Sequence, residues 1–591
     1  MKTPIGSSLP RPLRAFAAVA LSLAALAAGT GSASAYVSPA AAEHAAERGA
    51  GWFESNQQAS GDLGSDWAMT ALAAVGLNAA DVRTSLLDAS AQDFYLDEWQ
   101  VGGPGGAATD AARGILAGDA GGIQASRLST ASDATRSNLV ARLAELFDGT
   151  QIGSPGLLND DIFGVIALQQ VGAPQVLLQR LVDGLRTSQL ADGGWSWNAS
   201  PGATPDIDMT GSALAAFCAA GVKPDDPDLQ QALALLHSVQ DPATGGFVAP
   251  PPFGIGVNTD TTAWVASGLV QCGIDPQAPE WTTGAGKTPL DYLVSMQRPD
   301  GHFDWTAEYG GGAFETYSAV RPLVGVPFST AAPTRLDGSS SAVRPAPEVA
   351  DGTTVPVTLV IDHGPGSGDV RMCRVDVADG SGLGSFLAAA ETASTPAGCV
   401  SGFATGAGGT AVATLDGVAE TAEYGWRVKV DGGPAAMTTG EPIGFGDLVF
   451  LQYAAKVADP GPAPKVEVPP LRPAEAGAPA PRPRIALDGP ASWSEDGVRQ
   501  ALRCPRGLGA AGCRGVISVR FRARRGGQLQ GGGSTAYAVE SGERRVVAIA
   551  PRAALRKRVA RGGRLKLRLT AATRAEDGGI ALTRAKRFLA G

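Results

Sequence analysis

The chain has 591 residues, 44% of them hydrophobic and 18% charged, with a formal net charge of −9. That length is more than one ordinary core organises, which excludes a single small domain and points to roughly three to four. The charge is also split: residues 485–591 hold 22 Lys and Arg against 7 Asp and Glu, a surplus of 15, so a total of −9 leaves −24 on residues 1–484.

In chain order, Lys2, Arg11 and Arg14 precede an apolar run from Ala15 to Ala28 and then Ala33-Ser34-Ala35. This is the layout of a secretory signal peptide, so residues 1–35 are set apart from the fold and a secreted or cell-envelope protein is expected. No later apolar run is long enough to span a bilayer. Six cysteines fit an oxidising compartment. They fall into couples, Cys218 with Cys272, Cys373 with Cys399 and Cys504 with Cys513, none at metal-binding CxxC spacing. Many connectivities are open; sequential pairing within each proposed domain is the reading adopted, with free buried thiols as its alternative.

Residues 36–333 carry a repeat. Gln, three or four residues, Gly, any residue and a bulky apolar one recur as QQASGDL (57–63), QLADGGW (189–195), QDPATGGF (240–247) and QRPDGHF (297–303). A helix-period stretch precedes each of the last three, as in VLLQRLVDGLR (176–186). A second helix follows each of the four, opening at Asp66, Asp208, Asp260 or Glu315 and ending near Gly76, Gly221, Gly273 or Gly325. Two degenerate copies, opening near Asp110 and Asp161, bring the expected hairpins to six. The second helices are apolar nearly all round and should be buried, and the first ones are amphipathic. Repeats of this size bury their faces only against neighbours, so we expect a closed ring. The Gly-Gly corner at Gly193 and Gly194 is read as a turn permitting positive φ, with Trp195 packed beneath it.

Residues 334–352 read as a linker. The segment 353–454 alternates short strands, VPVTLVI (355–361), WRVKV (426–430) and LVFLQY (448–453), with a helix at 383–391. Residues 455–484 are a Pro-rich spacer. Residues 485–591 alternate apolar and basic residues, as strands with one wet face do, and are expected to form a basic β-sandwich that binds an anionic envelope polymer. Nucleic acid is not expected as a partner.

The QxxxGxW repeat resembles the QW motif of the terpene cyclase and protein prenyltransferase superfamily, and the resemblance implies an all-α α6/α6 toroid over 36–333. Residues 353–454 resemble the C-terminal β-domain of transcobalamin-like proteins. The expected fold class is therefore multidomain: the toroid, a small mostly-β (α+β) domain and a C-terminal β-sandwich. The toroid and β-domain together resemble transcobalamin and intrinsic factor. They imply a secreted, non-catalytic binding protein holding cobalamin, or another large planar ligand, between the two domains. The expected ligand residues are Trp197, Phe253, Trp305 and Tyr309 with Asp208 and Asp260. No catalytic residue and no metal are assigned in that reading.

An enzymatic alternative rests on PDIDMT (205–210), which looks like the DxDD motif of class II terpene cyclases. Asp206 and Asp208 match its first two aspartates, and Met209 replaces the third. Against it, all six acids are explained together as helix caps that bond free N–H groups and complement the helix dipole. His44, His237, His302 and His363 are read as surface residues. A second alternative is a structural surface protein without a small ligand.

Overall fold

The computed structural model describes residues 37–335, 349–457 and 485–589. Breaks fall at 61, 84–89, 94, 96–107, 129–136, 199, 201, 253, 255, 329, 351, 434–435, 437–438, 495–496, 507–511, 523–528, 550, 552, 561–564 and 575–579. The signal-like segment and the Pro-rich spacer therefore lie outside the described residues.

The first region is helical: α1 Pro39–Ser60, α2 Ala68–Ala74, α3 Ala108–Ala120, α4 Leu139–Glu145, α5 Leu158–Gln170, α6 Gln175–Thr187, α7 Ile207–Ala219, α8 Pro227–Ser238, α9 Thr259–Gln271, α10 Pro289–Ser295 and α11 Ala313–Leu323. Helices α2, α3, α5, α7, α9 and α11 each pack on the next, and α11 returns to α2, so they close a ring. Their composition explains the position: α9 is buried at every residue from Thr259 to Leu269. By contrast α6 buries only Leu177, Leu178, Leu181, Val182 and Leu185, one helical face, and stands outside.

The recurring Gln of the repeats has a hydrogen-bonding reason. Gln189 Nε2 donates to Gly193 O in its own turn and to Asp228 O at the next outer helix, both at 2.8 Å. Gln240 does the same to Gly245 O and Trp281 O. Gln297 donates to Gly301 O and to Ala45 O of α1, which joins the last hairpin to the first. At Gly193, φ is +90° and an added Cβ would stand 2.6 Å from Gln231 O, so close backbone approach demands glycine as well as positive φ. Helices α7 and α9 approach closely through Gly211 and Gly268; a Cβ on Gly211 would lie 2.8 Å from Val265 Cα. The Cys218–Cys272 disulfide, with Cα atoms 5.1 Å apart, ties the same two helices.

The second region is a five-stranded sheet with a helix, α12 Leu383–Thr392. Its strands are β1 Thr354–Asp362, β2 Val370–Ala378, β3 Ser394–Thr395, β4 Tyr424–Val430 and β5 Leu448–Ala455, in the order β3-β2-β1-β5-β4. Only β5 and β1 pair in parallel; the other pairs are antiparallel. One face, with Val355, Val357, Leu359, Ile361 and Trp426, encloses the domain's own core, stapled by Cys373–Cys399. The other face supplies Val360, Val370, Met372, Leu448 and Phe450 to the core of the helical ring. Continuous burial of β1 follows from being covered on both sides.

The third region has β6 Ala486–Ser494, β7 Gly497–Arg503, β8 Cys513–Arg522, β9 Leu529–Val539, β10 Arg544–Ile549, α13 Ala553–Ala560, β11 Leu565–Arg574 and β12 Ile580–Leu589. They form sheets β6-β7-β10 and β9-β8-β11-β12 around one apolar core, with Cys504 bonded to Cys513. The three disulfides fit an oxidising compartment. Among the described residues no helix is long and apolar enough to cross a membrane.

Candidate functional site

Because the inner helices run in the same sense, their acidic starts gather at one end of the ring. The carboxylates there are not equivalent. Arg113 of α3 reaches Asp66 at 3.0 Å and Asp110 at 3.2 Å. Asp161 of α5 accepts from Ile152 N at 2.7 Å, yet burial lifts its pKa to about 7. On the far side Asp260 stands within reach of the charges of both Glu315 and Asp208. Burial raises Asp208 to about 7, with the Asp206 charge adding to it and a hydrogen bond to Thr261 opposing it. Asp260 rises to about 9 through burial and then the charges of Glu315 and Asp208. Its Oδ1 is buried with no hydrogen-bond partner among the described residues. Desolvation plus like charge is the usual physical signature of a carboxyl that holds its proton near neutrality.

The caps correct one expectation. The N-cap of α7 is Asp206, whose carboxylate accepts from Asp208 N (3.0 Å) and Met209 N (3.3 Å). Asp208 lies within the first turn, past the cap, and its carboxyl bonds Thr261 of α9 instead. Asn258, not Asp260, caps α9 by accepting from Thr261 N at 2.9 Å. An acid at the second helical position leaves its carboxyl free for a neighbouring helix, which is why the shared spacing did not mean a shared role.

Directly below the acids lies an aromatic belt. Trp67 precedes α2, Phe163 is on α5, Trp264 on α9 and Tyr317 on α11. Trp67 stacks on Tyr317 with centroids 6.1 Å apart and meets Phe163 at 5.9 Å and Trp264 at 6.1 Å. Rings from four of the hairpins thus touch one another inside the ring of helices. Beneath them the fully buried guanidinium of Arg321 lies 5.6 Å from Trp67, 5.7 Å from Trp264 and 4.6 Å from Phe328. Burial lowers its pKa to about 10, and it donates to Thr70 Oγ1 at 2.7 Å. Sequence reasoning passed over this belt and Arg321. The signal was there, as one bulky ring within four residues of Asp66, Asp161, Asp260 and Glu315 in helices rich in small residues.

Of the residues expected to hold a ligand, Asp208 and Asp260 come together. Trp305 and Tyr309 touch at 5.8 Å, Tyr309 being 50% exposed. Trp197 is 45% exposed in its own loop, where its carbonyl accepts from Leu158 N. Phe253 lies outside the described residues. The surface reading of the histidines is corrected at His363, which is buried, 2.9 Å from Asp416 and 3.3 Å from Asp369, both of which raise its pKa against burial. His237 stacks on Trp281 at 3.8 Å and His302 bonds Asp300 at 2.6 Å. Among the described residues no group of His, Cys, Asp and Glu is arranged to hold a metal.

The β-domain does not face the mouth. Its sheet packs along the outer wall at α4 and α6. Arg127 pairs with Asp447 at 2.8 Å, Arg374 pairs with Glu145, and Asn138 Nδ2 donates to Pro356 O at 3.1 Å. Helix α4 is short, seven residues, and β1 and β2 pack against it.

No protein family and no curated protein matches the chain. Solved structures similar to part of it include a type II terpene cyclase from Scytonema in complex with merosterolic acid A. The identity is 18%, over 48% of this chain and 96% of that chain, with a TM-score of 0.32. The same cyclase in complex with geranylgeranyl dihydroxybenzoate gives the same figures. Protein geranylgeranyltransferase-I from Candida albicans, complexed with GGPP, matches at 13% identity over 35% of this chain and 58% of that chain, with a TM-score of 0.24. The expectation of a non-catalytic protein clasping cobalamin between toroid and β-domain is corrected by the packing: the sheet's second face is already buried against the outer helices α4 and α6 of the ring and so is not held open for a ligand.

Proposed function

We propose that the chain is a terpene-cyclase-like enzyme in which Asp208 is the general acid. The observation that supports this is the pair of carboxyls at about 7 and about 9, Asp208 and Asp260, held above an aromatic belt. A carboxyl with a pKa near 7 is protonated often enough at neutral pH to donate and is regenerated as easily. Asp260, protonated through most of the neutral range, keeps a second negative charge from building beside it. Donation from Asp208 to a carbon–carbon double bond would leave a carboxylate on Asp208 and a positive carbon, and the charge faces of Trp67, Trp264 and Phe163 are the groups nearest to receive it. Loss of a proton from a neighbouring carbon back to the site closes the cycle. Because the belt and Arg321 occupy the inside of the ring, the reacting segment lies across the mouth. There Trp197, Trp305 and Tyr309 offer apolar surface.

The test is incubation of the purified chain with a panel of polyprenyl alkenes, with products analysed by mass spectrometry. Cyclised product made by the native chain and lost in Asp208→Asn, with the melting curve unchanged, is the expected result. Absence of turnover together with absence of polyprenyl binding would remove the enzymatic reading.

A further inference from the structure

At the end of the ring opposite the acids, where α1 begins and α2 and α11 finish, the surface holds a groove of about 500 Å³. Val75, Leu290 and Leu323 give it an apolar floor, and Glu43, Glu47 and Asp275 line it with carboxylates; among the described residues no Lys or Arg lines it. It adjoins the place where the described chain starts. Val37 N donates to Asp291 Oδ1 at 3.2 Å, and Val37 O accepts from Gln277 Nε2 at 2.8 Å. Gln277 and Leu290, which neighbours Asp291, belong to the groove wall. The residue before Val37 is Tyr36, and its Cα can lie only about 3.8 Å further on. Cleavage after Ala33-Ser34-Ala35 would make Tyr36 the first residue of the mature chain, carrying both an aromatic ring and a free α-ammonium.

We propose that the mature N-terminus is the occupant of this groove: the Tyr36 ring seats on the apolar floor and its ammonium is held by the carboxylates, so that signal cleavage locks the first hairpin onto the last. The groove is acidic and apolar at once, and an N-terminal tyrosine is apolar and cationic at once. The uncleaved precursor has an amide in place of the ammonium and must lead 35 further residues out of the same groove. Cleavage would therefore finish the ring closure that Gln297 begins through its bond to Ala45 O.

The experiment compares three forms of the whole protein: the naturally processed chain, a chain retaining Ser34-Ala35 ahead of Tyr36, and processed Tyr36→Ala. N-terminal sequencing fixes each start, and hydrogen exchange follows the amides of residues 38–47 and 289–295. Exchange about tenfold slower in the processed chain than in the extended one, with part of that protection lost in Tyr36→Ala, is the expected result. A mature start other than Tyr36, or equal exchange in all three forms, overturns the proposal. Protection that grows with protein concentration also overturns it, because a second copy would then fill the groove.

Discussion

On one side of the mouth Asp66 and Asp110 share the guanidinium of Arg113, while on the other the charges of Glu315 and Asp208 both bear on Asp260. Both groups open inner helices, at similar depth and from the same repeat position. Arg113, on the helix that Asp110 opens and beside Asp66, turns the first group into a structural ion network. In the second, burial first and carboxylate neighbours after it let Asp208 and Asp260 hold their protons near neutrality. The repeat therefore supplies a ring of acids, and what separates scaffold from chemistry is the residue that each acid meets across the ring.

The sharpest way to break this comparison is at Asp208. Asp208→Asn should lower product formation about 10²–10⁴-fold, the usual span of a general acid, and leave the melting temperature nearly unchanged, because Asp208 is not the cap. A large fall in melting temperature would place Asp208 with the structural acids. The next largest effect belongs to Asp260. The unfolded chain gives up this proton above about pH 4, whereas the folded chain keeps it to about pH 9. In that window the folded state binds more protons, so stability falls as pH rises. The slope should approach about 1 kcal/mol per pH unit in urea unfolding, and Asp260→Asn should flatten it.

Arg113→Met would convert the paired side toward the other. It leaves Asp66 and Asp110 without their cation, and the partly exposed site should lose about 1–2 kcal/mol at low salt and less at high salt, where the repulsion is screened. Equal losses at both salt concentrations would mean that packing, not charge, is what Arg113 supplies. The smallest effect separates cap from acid. Asp206→Ala should cost about 0.5–2 kcal/mol through the lost bonds to Asp208 N and Met209 N, and Asp208→Ala should cost less. Denaturant unfolding of the two variants side by side decides between them.

The local elements were legible because they follow from short-range rules. The helix read as opening at Asp260 and ending near Gly273 is α9, Thr259–Gln271, and glycine with positive φ follows it at Gly273. The strand read at 355–361 is β1. The three cysteine couples are three disulfides, since each links segments that the repeat or the hairpin brings side by side. The acids themselves were visible as a repeated helix start.

What the sequence left open is which groups meet. Val355, Val357, Leu359 and Ile361 mark an apolar face of β1 in the sequence, but only packing shows that its second face covers α4 rather than a ligand. His363 looks like any polar loop residue until Asp369 and Asp416 close around it. Asp66, Asp208 and Asp260 have the same sequence signature, yet Asp66 pairs with Arg113 more than forty residues away, whereas Asp260 is raised by burial and then by the charge of Glu315, equally remote in sequence. Periodicity and capping chemistry act within a few residues and are written in order along the chain. Desolvation and charge act through space, so the ring had to close before an acidic helix start could become either an ion pair or an acid.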